Sequence, residues 1–210
     1  MTKSRSISYM NRALLRIVCA ALLLLATHAH AQSGDPAARV KSFYASLLET
    51  MKDAKRLGVE GRYRKLSPVV NSAFDLPAMA RIAVGPSWTS FTAEQQAAVT
   101  AAFTRMTVAT YASRFDGYDG ERFEVEPKIA ERGADRVVNT QIVTPREAVT
   151  LNYLMRFSGG DWKIVDVYLS GTISELAARR SEFGAVLRSG GAEALVSTLK
   201  ARGDKLMAGG

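Results

Sequence analysis

Histidine and cysteine are almost absent from this 210-residue chain: it has two His and one Cys. All three, Cys19, His28 and His30, fall in the first 31 residues. That stretch also holds Lys3, Arg5, Arg12 and Arg16, no acid, an apolar run from Ile17 to Ala26, and the small-x-small triplet Ala29-His30-Ala31. A basic start, a short apolar middle and a small-residue site together predict a secretory signal peptide over 1–31, cleaved after Ala31. The apolar run is too short to span a bilayer, and Cys19 follows Arg16-Ile17-Val18 instead of the small apolar residues of a lipoprotein signal. Cleavage removes four of the 28 basic residues and none of the 20 acids, so the remaining 179 residues carry a net charge of +4 with no Cys and no His. For that mature chain a thiol nucleophile, a disulfide framework, a Ser-His-Asp triad, a histidine base and any His/Cys metal or haem site are excluded. Glycine-rich phosphate loops and a G-x-S-x-G elbow are missing as well. The expectation is a soluble exported protein, periplasmic, with one domain over 32–210.

What is present divides into a helical half and a sheet half. Asp35-Pro36 is an N-cap followed by proline at the first helical position. Val40, Phe43, Tyr44, Leu47, Leu48 and Met51 then recur at helical spacing, and Gly58 and Gly61 are expected to end that helix. Shorter helices are predicted over 62–71 and 76–84, the second closed by Gly85-Pro86. Thr92-Ala93-Glu94-Gln95 has the capping-box pattern, opening a long helix to about Phe115 with Val99, Phe103, Met106, Thr110 and Tyr111 on one face.

After Asp116-Gly117-Tyr118-Asp119-Gly120 the period changes from helical to alternating. Strands are predicted around Phe123 and Val125, over 137–142, over 149–157 and over 162–169, with a turn at Ser158-Gly159-Gly160-Asp161. The last is apolar on nearly both faces, which suits a central or doubly covered strand. Two helices should follow, 173–188 and 192–202, divided by Gly190-Gly191. The class is α+β: helices packed around a curved four-stranded antiparallel sheet.

Three features offer chemistry. Asp166, a carboxylate inside the apolar strand Trp162–Tyr168 with Tyr153 one strand away, suits either a proton-transfer base or a structural carboxylate paired with an arginine or bonded to a helix end. The basic run Lys52, Lys55, Arg56, Arg62, Arg64 and Lys65 is either a docking surface for an anionic membrane or an acidic partner, or a solvated helix end. Phe103, Met106, Tyr111, Leu151, Tyr153 and Phe157 form apolar stripes that by default are core; their spacing does not separate a filled core from a lined cavity. Nucleic acid is a poor fit, because the modest positive charge is offset by Glu121, Glu124, Glu126 and Glu131.

The C-terminal half carries a resemblance. Leu151-Asn152-Tyr153-Leu154-Met155-Arg156-Phe157, then Gly159-Gly160-Asp161-Trp162-Lys163-Ile164-Val165-Asp166-Val167-Tyr168-Leu169-Ser170-Gly171, Arg179-Arg180-Ser181-Glu182-Phe183 and Gly190-Gly191 resemble the MlaC family of periplasmic phospholipid-binding, toluene-tolerance auxiliary proteins. The segment from Gly171 to Ala177 with Arg179–Phe183 looks closest to its hopanoid-associated branch, HpnM. The resemblance implies an NTF2-like general shape with an apolar cavity between sheet and helices. It also implies a carrier of phospholipid or hopanoid between membranes, without catalysis or cofactor, served by membrane-bound complexes of the inner and outer membrane. Such a carrier must shield its cargo, since each exposed methylene costs about 0.8 kcal/mol. On that reading Phe103, Met106, Tyr111, Leu151, Tyr153, Val165, Val167 and Leu169 include the pocket-lining residues, with the head group at the mouth. Two other classes stay open: an adaptor with a filled core that docks through 52–65, and an isomerase or lyase with Asp166 as base.

Overall fold

The computed structural model describes residues 34–209, so the predicted signal peptide lies outside the described residues. Helices come first: α1 (Pro36–Lys52), α2 (Ala54–Ala73), α3 (Leu76–Val84), a 3₁₀ turn (Gly85–Ser90) and α4 (Ala93–Arg114). The strands β1 (Arg122–Arg132), β2 (Asp135–Val143), β3 (Ala148–Ser158), β4 (Asp161–Leu169) and β5 (Ile173–Ser174) follow, and α5 (Glu175–Met207) closes the order. Among the described residues no helix is long and apolar enough to cross a membrane.

The predicted helix starts form by the expected chemistry. The Asp35 carboxylate accepts from Ala37 N at 2.9 Å, and Thr92 and Gln95 form a reciprocal capping box. The break after the first helix comes earlier than Gly58, at Asp53; Gly58 itself kinks α2, with φ of 60°. Gly190 and Gly191 interrupt α5 as predicted, Gly191 at φ of 64°, but the helix continues to Met207 instead of stopping near Arg202.

The sheet is an open antiparallel meander in the order β1-β2-β3-β4-β5, so the four-stranded prediction is corrected to five. The added strand pairs Tyr168 with Ser174 and Leu169 with Ile173. Two residues are too short to show a period, which is why that segment reads as the start of a helix. Pro127 lies in the irregular stretch of edge strand β1 between Val125 and Ile129, where a missing N–H is tolerated.

β4 is an interior strand, between β3 and the short β5, and Ile164, Val165, Asp166 and Val167 are all buried, as expected of a strand covered on both faces. Its register against β3 slips by one residue: Met155 pairs with Ile164 but Leu154 with Asp166, leaving Val165 as the extra residue of a bulge. The bulge shifts the side-chain phase within the strand, so Val165 leaves the row of Val167 and Leu169.

The helices cover the inward rows of this sheet, Ile129–Val138–Tyr153–Val167 and Val125–Thr140–Leu151–Leu169. Helix α1 packs on β1, β2 and β4, while α2, α3 and α5 reach β4. Helix α4 packs on α2, α3 and α5 and makes no comparable approach to any strand. It meets α5 closely at Gly203, where an added Cβ would come within 2.5 Å of Arg105 Nη1.

Arg62 takes no part in a basic surface. It is buried, donating from Nε to Ala112 O at 2.7 Å and from Nη1 to Ala54 O at 3.1 Å, so it ties the start of α2 to the end of α4. Arg62→Ala strands two buried carbonyls and is expected to cost about 2–3 kcal/mol, lowering Tm by roughly 5–10 °C in thermal circular dichroism.

Candidate functional site

Because α4 stands off the sheet, a cavity of about 150 Å³ lies between them. Helix α4 lines it with Phe103, Met106, Thr107, Thr110, Tyr111 and Arg114, a run at helical spacing, and Phe115 follows. The floor is Leu151 and Tyr153 of β3 with Val167 and Leu169 of β4. Phe74 and Met79 close one side, and Glu175, Leu176 and Arg179 from the first turns of α5 close another.

Seven of the eight residues named from the sequence lie together on this wall; Val165 does not. Strict alternation puts Val165 with Val167 and Leu169, and the bulge breaks that alternation. Thr107 and Arg114 extend the period of Phe103 and Met106 and were legible by continuing it. Phe74, Met79, Phe115, Glu175, Leu176 and Arg179 depend on how separate elements dock, for which periodicity carries no signal.

Aromatic rings back the cavity. Phe43 packs edge-on against Phe74 and Tyr111, with centroids 5.2 and 5.3 Å away, and Tyr111 stacks on Phe115 at 5.7 Å. The Tyr44 hydroxyl lies 2.6 Å from Thr140 Oγ1, which in turn donates to Leu151 O, so the natural arrangement has Tyr44 donating. Burial pushes the Tyr44 hydroxyl up to about 12. Burial also raises Tyr111 and Tyr153 well above the ordinary phenol value.

Asp166 does not line the cavity. Its carboxylate is nearly buried and accepts from Val167 N at 2.8 Å, Leu176 N at 3.1 Å and Ser174 Oγ at 2.6 Å. Ser174 Oγ accepts in turn from Ala177 N at 3.0 Å. Of the two sequence readings, the geometry is that of a carboxylate at a helix N-terminus, satisfying donors that α5 leaves free.

Residues 41–201 match the family model described as MlaC protein. The chain belongs to the MlaC family. Among solved structures, the MlaC fold seen here is similar to the phospholipid-binding protein from Ralstonia solanacearum in complex with a phospholipid, with TM-score 0.73 and 25% identity over 82% of this chain and 99% of that one. A comparison with curated protein sequences finds no match. Family and fold together point to a non-catalytic binding protein.

Two outcomes test the chemistry of the site. Asp166→Ala removes three accepted bonds and is expected to cost roughly 2–3 kcal/mol in denaturant unfolding, whereas Asp166→Asn keeps an acceptor and loses about 1 kcal/mol. The raised tyrosines set an alkaline limit. The unfolded chain releases its phenol protons near pH 10, before the folded one, so stability is full below about pH 10 and falls as pH rises through the folded value. For Tyr44 that window runs up to about 12. Unfolding curves at rising alkaline pH check the slope, and Tyr44→Phe should flatten part of it.

Proposed function

We propose that this protein is a periplasmic lipid carrier that holds acyl or other apolar groups of a phospholipid or hopanoid in the cavity under α4 and shuttles them between membranes. The observation that carries the reading is the cavity itself: an apolar space between sheet and helices, in a chain whose fold is similar to that of a phospholipid-bound protein. Hopanoid stays within the cargo range on the likeness of Gly171–Ala177 and Arg179–Phe183 to the HpnM branch. Docking to membrane complexes follows from the same reading, since a carrier must load at one membrane and unload at another.

The physics fits a carrier. Burying methylenes at about 0.8 kcal/mol each needs apolar walls and no reactive group. A cavity of about 150 Å³ is the size that admits a benzene-sized guest, so a full acyl chain requires the walls to part. Flexible Met79 and Met106 line it, and the Gly190–Gly191 break separates the half of α5 that carries Glu175, Leu176 and Arg179 from the rest of the helix.

Lipid extraction and mass spectrometry of protein purified without detergent test the reading. Co-purifying phospholipid or hopanoid supports it and names the cargo. A lipid-free protein that also takes up nothing from vesicles containing both overturns it. Leu151→Trp should fill the cavity and lower bound lipid per protein several-fold while the fold persists.

A further inference from the structure

Charges along α5 are unevenly matched. Its carboxylates are all engaged: Glu175 and Glu182 lie beside Arg179, Glu182 also accepts from Arg202, Glu193 accepts from Gln95 Nε2 at 2.8 Å, and Asp204 pairs with Arg105 at 2.8 Å. Arg180 and Arg188 are exposed, and among the described residues neither guanidinium has a carboxylate within 4.0 Å. Nearby sequence supplies no acid to answer them, since residues 76–92 and 183–192 contain neither Asp nor Glu.

These two arginines stand two turns apart on one face of α5 and border a groove of about 240 Å³ against the end of α3 and the 3₁₀ turn. Val84, Pro86 and Leu187 give that groove apolar walls. Glycine makes room for each guanidinium. A Cβ at Gly85, whose φ is 70°, would lie 2.9 Å from Arg180 Nε, and one at Gly184 would lie 3.5 Å from Arg188 Nη1. None of the groove's residues lines the cavity under α4, so the groove is a separate site.

An exposed arginine on a flat surface is fully solvated and gains little from an ion pair. A concave site with apolar walls shields the pair from water and salt, and the planar guanidinium then holds a carboxylate through two parallel N–H bonds. A bilayer surface is broad and would meet the rim while leaving the apolar walls uncovered. A protein segment that carries acids beside an apolar side chain fills both. We propose that the groove between the 3₁₀ turn and the first half of α5 docks an acidic segment of a partner protein, with Arg180 and Arg188 receiving its carboxylates and Val84, Pro86 and Leu187 its apolar side chain.

The probe is a fluorescein-labelled Gly-Ser peptide with Glu-Leu-Glu-Glu-Leu at its centre, compared by anisotropy with a twin carrying Gln for Glu. Wild-type protein should bind the acidic peptide at least tenfold more tightly than the twin. Arg180→Gln and Arg188→Gln should each weaken that binding about threefold to fivefold, and both together should abolish the preference. Arg64→Gln, an exposed position on α2, should bind as the wild type does. Arg180 and Arg188 are both exposed, and thermal circular dichroism confirms that each variant folds; if one does not, the other carries the test. Equal binding of the two peptides, or a preference unchanged in the double variant or lost equally in Arg64→Gln, overturns the inference. Sedimentation with phosphatidylglycerol vesicles that depends on Arg180 and Arg188, with no peptide preference, assigns the groove to a membrane and overturns the protein partner. Displacement of the peptide by an equal concentration of inorganic phosphate assigns it to a free anion and overturns it likewise. Lipid bound in the cavity should be the same in every variant, so each of these failures leaves the carrier reading standing.

Discussion

The Asp166 carboxylate joins the sheet to the helical layer. One oxygen takes the amides of Val167 and Leu176 and the other the hydroxyl of Ser174, so the first turn of α5 is fastened to β4. A carboxylate at a helix N-terminus satisfies orphan donors at the positive end of the helix dipole. Everything that α5 contributes to the cavity wall, Glu175, Leu176 and Arg179, follows within about one turn of that joint. The tight connection is completed by Ser170 and Gly171, at φ of 49° and 77°; Ser170 is the one non-glycine residue in that region among the described residues. A carboxylate fully occupied in this way is held as structure, and what it positions is a wall instead of a reaction centre.

The second joint is at the far end of α4. Arg62 bonds the Ala112 carbonyl and the Ala54 carbonyl, holding the end of α4 against α2. Helix α4 is therefore supported along its length by other helices, through Arg62 near one end and the Gly203 contact with Arg105. Held by its own layer, it need not rest on the strands. The gap beneath it is a consequence of that support, and Phe103, Met106 and Tyr111 line it from the helix side.

Periodicity made much of this legible. Capping residues placed Asp35 and Thr92 at their helix starts, and alternation placed Leu151 and Tyr153 on one face of β3, because helices and strands are local structures with local signals. Seven pocket residues followed from two such faces turned toward each other. The failures share one cause: they depend on relations between distant segments. A bulge at Val165 is a matter of register with β3, the two-residue β5 is a matter of pairing, and Arg62 sits in a basic run whose burial is decided by where α4 ends.

Keeping such a cavity has a definite cost. At about 24 cal/mol per Å³, the figure for cavities made in protein cores, a space of about 150 Å³ forgoes roughly 4 kcal/mol of packing. That is a large part of the 5–15 kcal/mol by which domains are typically stable, so the surrounding joints must be strong enough to bear it. Phe43 and Tyr44 pack behind the lining rings of Phe74 and Tyr153, and the Tyr44–Thr140–Leu151 hydrogen bonds tie α1 to the strands that form the floor. An apolar guest entering the cavity recovers the forgone packing, which makes the unfilled volume itself part of the driving force for binding.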